Sequence, residues 1–66
     1  MRIFLNGQPH ECAAESTIAG LLAEAGYAGR RVAVEVNREI VPRSRHGQHM
    51  LREDDRVEIV QAIGGG

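Results

Sequence analysis

The sequence closes on Ala62-Ile63-Gly64-Gly65-Gly66, and these glycines are its strongest candidates for chemistry. Glycine has no Cβ, so a Gly run is the narrowest peptide available, and ordering it is entropically costly. Such a run is ill suited to packing and well suited to threading. It follows directly on an apolar β-type run from Val57 to Ile63. The expected product is a compact body over residues 1–63 and a slim, flexible arm, Gly64 to Gly66, carrying the α-carboxylate of Gly66. An arm of this kind fits the active site of another protein.

Other reactive side chains are sparse. Cys12 is the one cysteine, so it forms no internal disulfide and no Cys-rich zinc pattern. A lone cysteine reads as a small, inert, partly buried hydrophobe. His10, His46 and His49 have no spacing that fixes a metal geometry, and the latter two fall in a polar loop; no metal site is expected. Arg43, Arg45 and Arg52 form a loose basic cluster that reads as a solvated face, the alternative being contact with an acidic partner. No Ser/His/Asp set, paired carboxylates or phosphate loop appears. The terminal glycines are not a phosphate loop, because no helix follows them.

Composition narrows the classes further. Eight basic and nine acidic residues give a net charge of -1, which is not the footprint of a nucleic-acid binder. Every basic residue is Arg, so no side-chain amine exists for Schiff-base chemistry or isopeptide attachment. Phe4 and Tyr27 are the only aromatics, too few for a base-stacking platform. The sequence shows no basic-then-apolar leader and no apolar run of membrane-spanning length. A reducing, cytoplasmic setting is expected.

The elements that position the arm follow from periodicity. Arg2 to Asn6 alternates, Asn6-Gly7 signals a hairpin turn, and Pro9 to Ala13 returns as an edge strand, since Pro9 lacks a backbone donor. Ser16 or Thr17 caps a helix whose apolar face is Ile18, Leu21, Leu22 and Ala25. Gly20 weakens that helix by roughly 1 kcal/mol relative to Ala, and Gly26 stops it. Val32 to Val36 alternates cleanly. Asn37-Arg38 turns into a short strand, Glu39 to Val41, ended by Pro42. Arg43 to Met50 reads as polar and irregular, Leu51 anchors it, and Glu53-Asp54-Asp55 turns into the last strand, Arg56 to Ile63.

One helix on one face of a mixed four- to five-stranded sheet is an α+β layout. The expected inward set is Ile3, Leu5, Val32, Val34, Val36, Val57 and Ile59 beneath Ile18, Leu21 and Leu22, with Ile40 and Leu51 at the rim. Phe4, Val60 and Ala62 fall on the helix-free face, where a contiguous apolar patch marks a partner site. With Ile63 they form the predicted partner-binding surface, and Glu58, Glu35 and Arg2 rim it.

Element order, hairpin and glycines together resemble the ubiquitin-like β-grasp fold. More narrowly, the whole chain resembles the ThiS family of sulfur carriers. The matching stretches are Thr17-Ile18-Ala19-Gly20-Leu21-Leu22, Val32-Ala33-Val34-Glu35-Val36-Asn37, Ile40-Val41-Pro42-Arg43, and Asp55-Arg56-Val57-Glu58-Ile59-Val60 leading to the glycines. The resemblance implies a non-enzymatic carrier whose Gly66 is adenylated by a ubiquitin-activating-type (ThiF-like) enzyme using ATP and Mg. A donor system such as a cysteine desulfurase then supplies sulfur, making a thiocarboxylate. That sulfur passes to a ThiG-like thiazole synthase for the thiazole of thiamine. The carrier itself binds no cofactor, nucleic acid or membrane. A carrier like the small subunit of molybdopterin synthase, or a ubiquitin-like protein modifier, shares the Gly-Gly end. A simple β-grasp binding module is a further alternative, and it predicts dispensable glycines. The chain departs from the family at Asp54, where Gly is common. Asp tolerates φ > 0 better than most residues.

Overall fold

The computed structural model describes residues 1–61. Five strands and one α-helix follow the predicted order: β1 Arg2–Leu5, β2 Gln8–Glu11, α1 Ile18–Glu24, β3 Val32–Val36, β4 Glu39–Val41 and β5 Arg56–Gln61. A 3-10 turn at Arg43–Arg45 lies between β4 and β5. The strands form one mixed sheet in the order β2-β1-β5-β3-β4. β1 and β5 run parallel side by side, while the β1–β2, β3–β4 and β3–β5 pairs are antiparallel.

Both hairpins turn on consecutive residues with positive φ. Asn6 and Gly7 lie at 50° and 84°, and Asn37 and Arg38 at 51° and 72°. Two such angles match the right-handed twist of the strands they join. Asp54 has φ 66°, so the acidic residue at the departure from the family pattern adopts the left-handed conformation. It is held there by its N–H donating to the Arg2 carbonyl at 2.7 Å and by its carboxylate accepting from the Arg2 guanidinium at 2.9 Å.

The helix begins on a cap, as expected. Thr17 is extended, and its hydroxyl accepts from the Gly20 N–H at 3.1 Å. Two more of the orphan amides that every helix start carries are satisfied from a distance. Ile18 N–H donates to the His49 carbonyl and Ala19 N–H to the His46 carbonyl, at 3.1 and 2.9 Å. Thr17 bridges to Met50, and Leu51 N–H donates to the Ser16 carbonyl at 2.8 Å. The stretch from Arg43 to Met50 is therefore not the irregular loop its polarity predicts. It supplies carbonyls to the helix start.

The core lies between α1 and one sheet face. Ile3, Ile18, Val34 and Val57 are fully buried and Leu21 nearly so, with Leu22, Val36, Leu51 and Ile59 beside them. Leu5 and Val32 are half-buried at its edge. One rim assignment changes. Ile40 is 69% exposed and Val41 only 8%. Glu35 faces Ile40 and Val34 faces Val41 across the ladder. Because side chains alternate between faces, Val41 points with Val34 into the core and Ile40 points out with Glu35. β2 is an edge strand, and Pro9 sits on it without costing a shared ladder bond.

Candidate functional site

The candidate site is the helix-free face of the sheet together with the end of β5. Alternation along β5 sends Val57 and Ile59 inward and exposes Arg56, Glu58 and Val60. Asn6 fastens this strand to β1. Its N–H donates to the Val57 carbonyl at 2.8 Å, and its side-chain carbonyl accepts from Ile59 N–H at 2.7 Å. Gln61 then pairs with Val32 on β3. Ala62, Ile63 and the predicted arm Gly64 to Gly66 lie outside the described residues.

Phe4, Glu58 and Val60 share this face, but Phe4 and Val60 are not joined in one apolar patch. The parallel β1–β5 overlap is short, with Phe4 beside Arg56 and Leu5 beside Val57. Val60 lies four residues further along, roughly 13 Å at the usual rise of a strand, and its neighbour is Ala33 on β3. Phe4 is half-buried. The guanidiniums of Arg2 and Arg56 lie 5.3 and 5.6 Å from its ring centroid, within cation–π range. The face thus divides into a cationic–aromatic end and an apolar end at Val60, which is 57% exposed.

Glu35 and Glu58 occupy the ground between. They stand directly opposite each other across β3–β5, and among the described residues neither forms an ion pair. Like charges in this register destabilise a sheet, so the fold tolerates a repulsion here. Glu58→Gln is expected to raise folding stability by about 0.2–1 kcal/mol. Urea denaturation at low salt reads this as a higher midpoint, and added salt narrows the difference by screening.

The remaining candidates are dispersed. Cys12 is in the core at 9% exposure, away from solvent chemistry. His46 is buried at 7% exposure, and its Nε2 lies 3.0 Å from the Val41 carbonyl. A carbonyl only accepts, so this nitrogen carries the proton. His46 is thus a core residue and not part of a solvated loop. His10 lies at the opposite edge, 3.7 Å from Glu24. No group of three metal-ligating side chains exists among the described residues. Arg43, Arg45 and Arg52 line different pockets, Arg45 and Arg52 both beside Gln48 and His49. Arg43 shares a pocket with Arg30, and Arg52 also lies beside Asn37 and Asp55. No helix among the described residues is long and apolar enough to cross a membrane.

A mixed five-stranded sheet, parallel at its centre and with one helix across one face, defines a ubiquitin-like β-grasp protein. The chain belongs to the ThiS family, whose model matches residues 3–66. It is similar over its full length to the thiamine biosynthesis protein (ThiS) of Geobacter metallireducens, with a TM-score of 0.86 and 29% identity, covering all of both chains. It is 35% identical to the sulfur carrier protein ThiS of Escherichia coli, again over 100% of both chains. It is also 48% identical over all 66 residues to part of a thiazole synthase of Magnetococcus marinus. The chain spans about a fifth of that relative's length, the matched share being 20%.

Proposed function

We propose that this chain is a sulfur carrier for thiazole formation in thiamine biosynthesis, with the Gly66 carboxylate as the reacting group. The observation that carries this reading is the family match through residue 66, which takes in all three glycines. Full-length similarity to the Escherichia coli carrier supports it. The chain acts as a protein co-substrate and not as a catalyst.

The chemistry follows from the carboxylate. An α-carboxyl group is an anion near neutrality, and as an anion it is a poor electrophile. A ThiF-like adenylyltransferase attacks the α-phosphorus of ATP with the Gly66 carboxylate oxygen, with Mg held by the enzyme. Pyrophosphate leaves and an acyl-adenylate remains. A persulfide from a donor such as a cysteine desulfurase attacks the Gly66 carbonyl carbon and expels AMP. A donor-system thiol then cleaves the S–S bond, becoming part of a disulfide and releasing the thiocarboxylate. Cys12, held in the core, takes no part. The receiving enzyme is a ThiG-like thiazole synthase, which the similarity to part of the Magnetococcus marinus thiazole synthase supports. The sheet's helix-free face, with Val60, Glu58, Glu35 and Phe4, is the docking surface for these partners.

Intact mass spectrometry tests the assignment. The chain is incubated with ATP, Mg, a ThiF-like enzyme and a cysteine desulfurase with cysteine. One sulfur-for-oxygen exchange at the C-terminal residue is expected, dependent on ATP. An unchanged mass overturns the reading. Isopeptide adducts to larger proteins in a native extract would instead identify a modifier.

A further inference from the structure

A second surface feature lies on the helix side of the sheet. The end of α1, the chain leading into β3 and the 3-10 turn enclose an open pocket of about 290 Å³. Its floor is apolar. Leu22 belongs to the core, and half-buried Tyr27 and Val32 pack against that core. Arg30 and Arg43 line its rim, both exposed. No acidic residue lines the pocket, and among the described residues neither arginine forms an ion pair.

The walls are fixed by hydrogen bonds. Tyr27 N–H donates to the Leu22 carbonyl at 2.7 Å and Arg30 N–H to the Tyr27 carbonyl at 3.0 Å. On the other side, His46 is pinned through its ring to Val41 and through its carbonyl to Ala19. The pocket also has a defined place in the fold. Val32 pairs with Gln61, so the pocket opens at the end of the sheet where β5 finishes, on the side opposite Glu35 and Glu58.

We propose that this pocket docks an acidic–apolar segment of a protein partner. An aliphatic side chain rests on Leu22, Tyr27 and Val32, and a neighbouring carboxylate is clasped by Arg30 and Arg43. Two planar guanidiniums over an apolar floor favour carboxylate recognition with two-pronged hydrogen bonds. The net charge of -1 argues against a polyanion as occupant. A partner held here leaves the helix-free face uncovered, so both sides of the domain are available to one assembly. The inference rests on the pocket's geometry and stands independently of whether Gly66 carries sulfur.

Chemical-shift titration of the ¹⁵N-labelled chain with the acetylated, amidated peptide Gly-Glu-Leu-Asp-Gly tests it. Saturable shifts are expected at Leu22, Tyr27, Val32 and His46. Affinity is expected to fall roughly tenfold in the Arg30→Gln/Arg43→Gln double variant, because each guanidinium contributes a charge-assisted hydrogen bond. Both residues are exposed, and an unchanged melting curve shows that the variant keeps its fold. Gly-Gln-Leu-Asn-Gly and Gly-Glu-Ala-Asp-Gly are each expected to bind more weakly, reporting charge and floor separately. The proposal is overturned by equal binding of the double variant, by shifts centred elsewhere, or by no saturable shift up to roughly 10 mM peptide.

Discussion

Deleting Gly65 and Gly66 is expected to abolish sulfur loading while leaving the melting temperature unchanged. Two residues of extended chain reach about 7 Å, so the truncated carboxylate falls short by that distance of wherever Gly66 is activated. Misplacement of a reacting atom by about 1 Å already costs on the order of a hundredfold in rate, so the residual rate lies below detection. The fold is spared because the bonds that hold β5 to β1 and β3 are made by residues 1–61. Gly65→Val separates length from width. It keeps the carboxylate at its distance and adds a β-branched side chain to the narrow segment. Loading is expected to fall in that variant too, without loss of stability. ATP-dependent sulfur-for-oxygen exchange measured on both variants decides the matter. Retained exchange in the deletion variant would remove Gly66 as the required reacting residue, and thiamine prototrophy of a strain carrying the deletion would falsify the carrier reading and leave a simple binding module.

The central strands were readable from the residues because both are encoded locally. Val32 to Val36 and Arg56 to Gln61 alternate, and alternation fixes the buried face without knowledge of the neighbouring strand. Asn6-Gly7 and Thr17 act within three residues of themselves. Asp54 at φ 66° is also a local matter, since its short side chain tolerates that angle. What failed depends on register between distant segments. Glu39-Ile40-Val41 contains two adjacent apolar residues, and only the ladder to β3 decides that Val41 goes in. The parallel pairing of Phe4 with Arg56 joins residues 52 positions apart. No periodicity in either strand reveals that Val60 lies beyond the end of β1. The opposition of Glu35 and Glu58 was hidden for the same reason. His46 was misread because its burial follows from what the helix start lacks. α1 needs carbonyls from the segment that holds His46, and that draws the ring in from solvent against the Val41 carbonyl. The pocket between Arg30 and Arg43 likewise appears only once that segment is seen to be ordered.

Leu21→Ala is expected to cost about 2–5 kcal/mol, the range for truncating a buried leucine. A chain of 66 residues has roughly 3–10 kcal/mol of folding stability in total, so this one change removes a large share of it. Leu21 is 2% exposed and stands on the helix face that meets the sheet. The helix spans only seven residues, too few to persist alone in water, and it therefore exists by virtue of this packing. A cavity here also loosens the tie between the helix start and the carbonyls of His46 and His49, since those bonds require α1 to be seated. Ile40→Ala provides the contrast. It deletes a similar number of carbons from a residue 69% exposed and is expected to change stability by no more than about 0.5 kcal/mol, as for other surface substitutions. Urea titration of the two variants measures both values. If Ile40→Ala were the more damaging change, the register of β3 with β4 would be wrong by one residue, because such a slip exchanges the two faces of the strand.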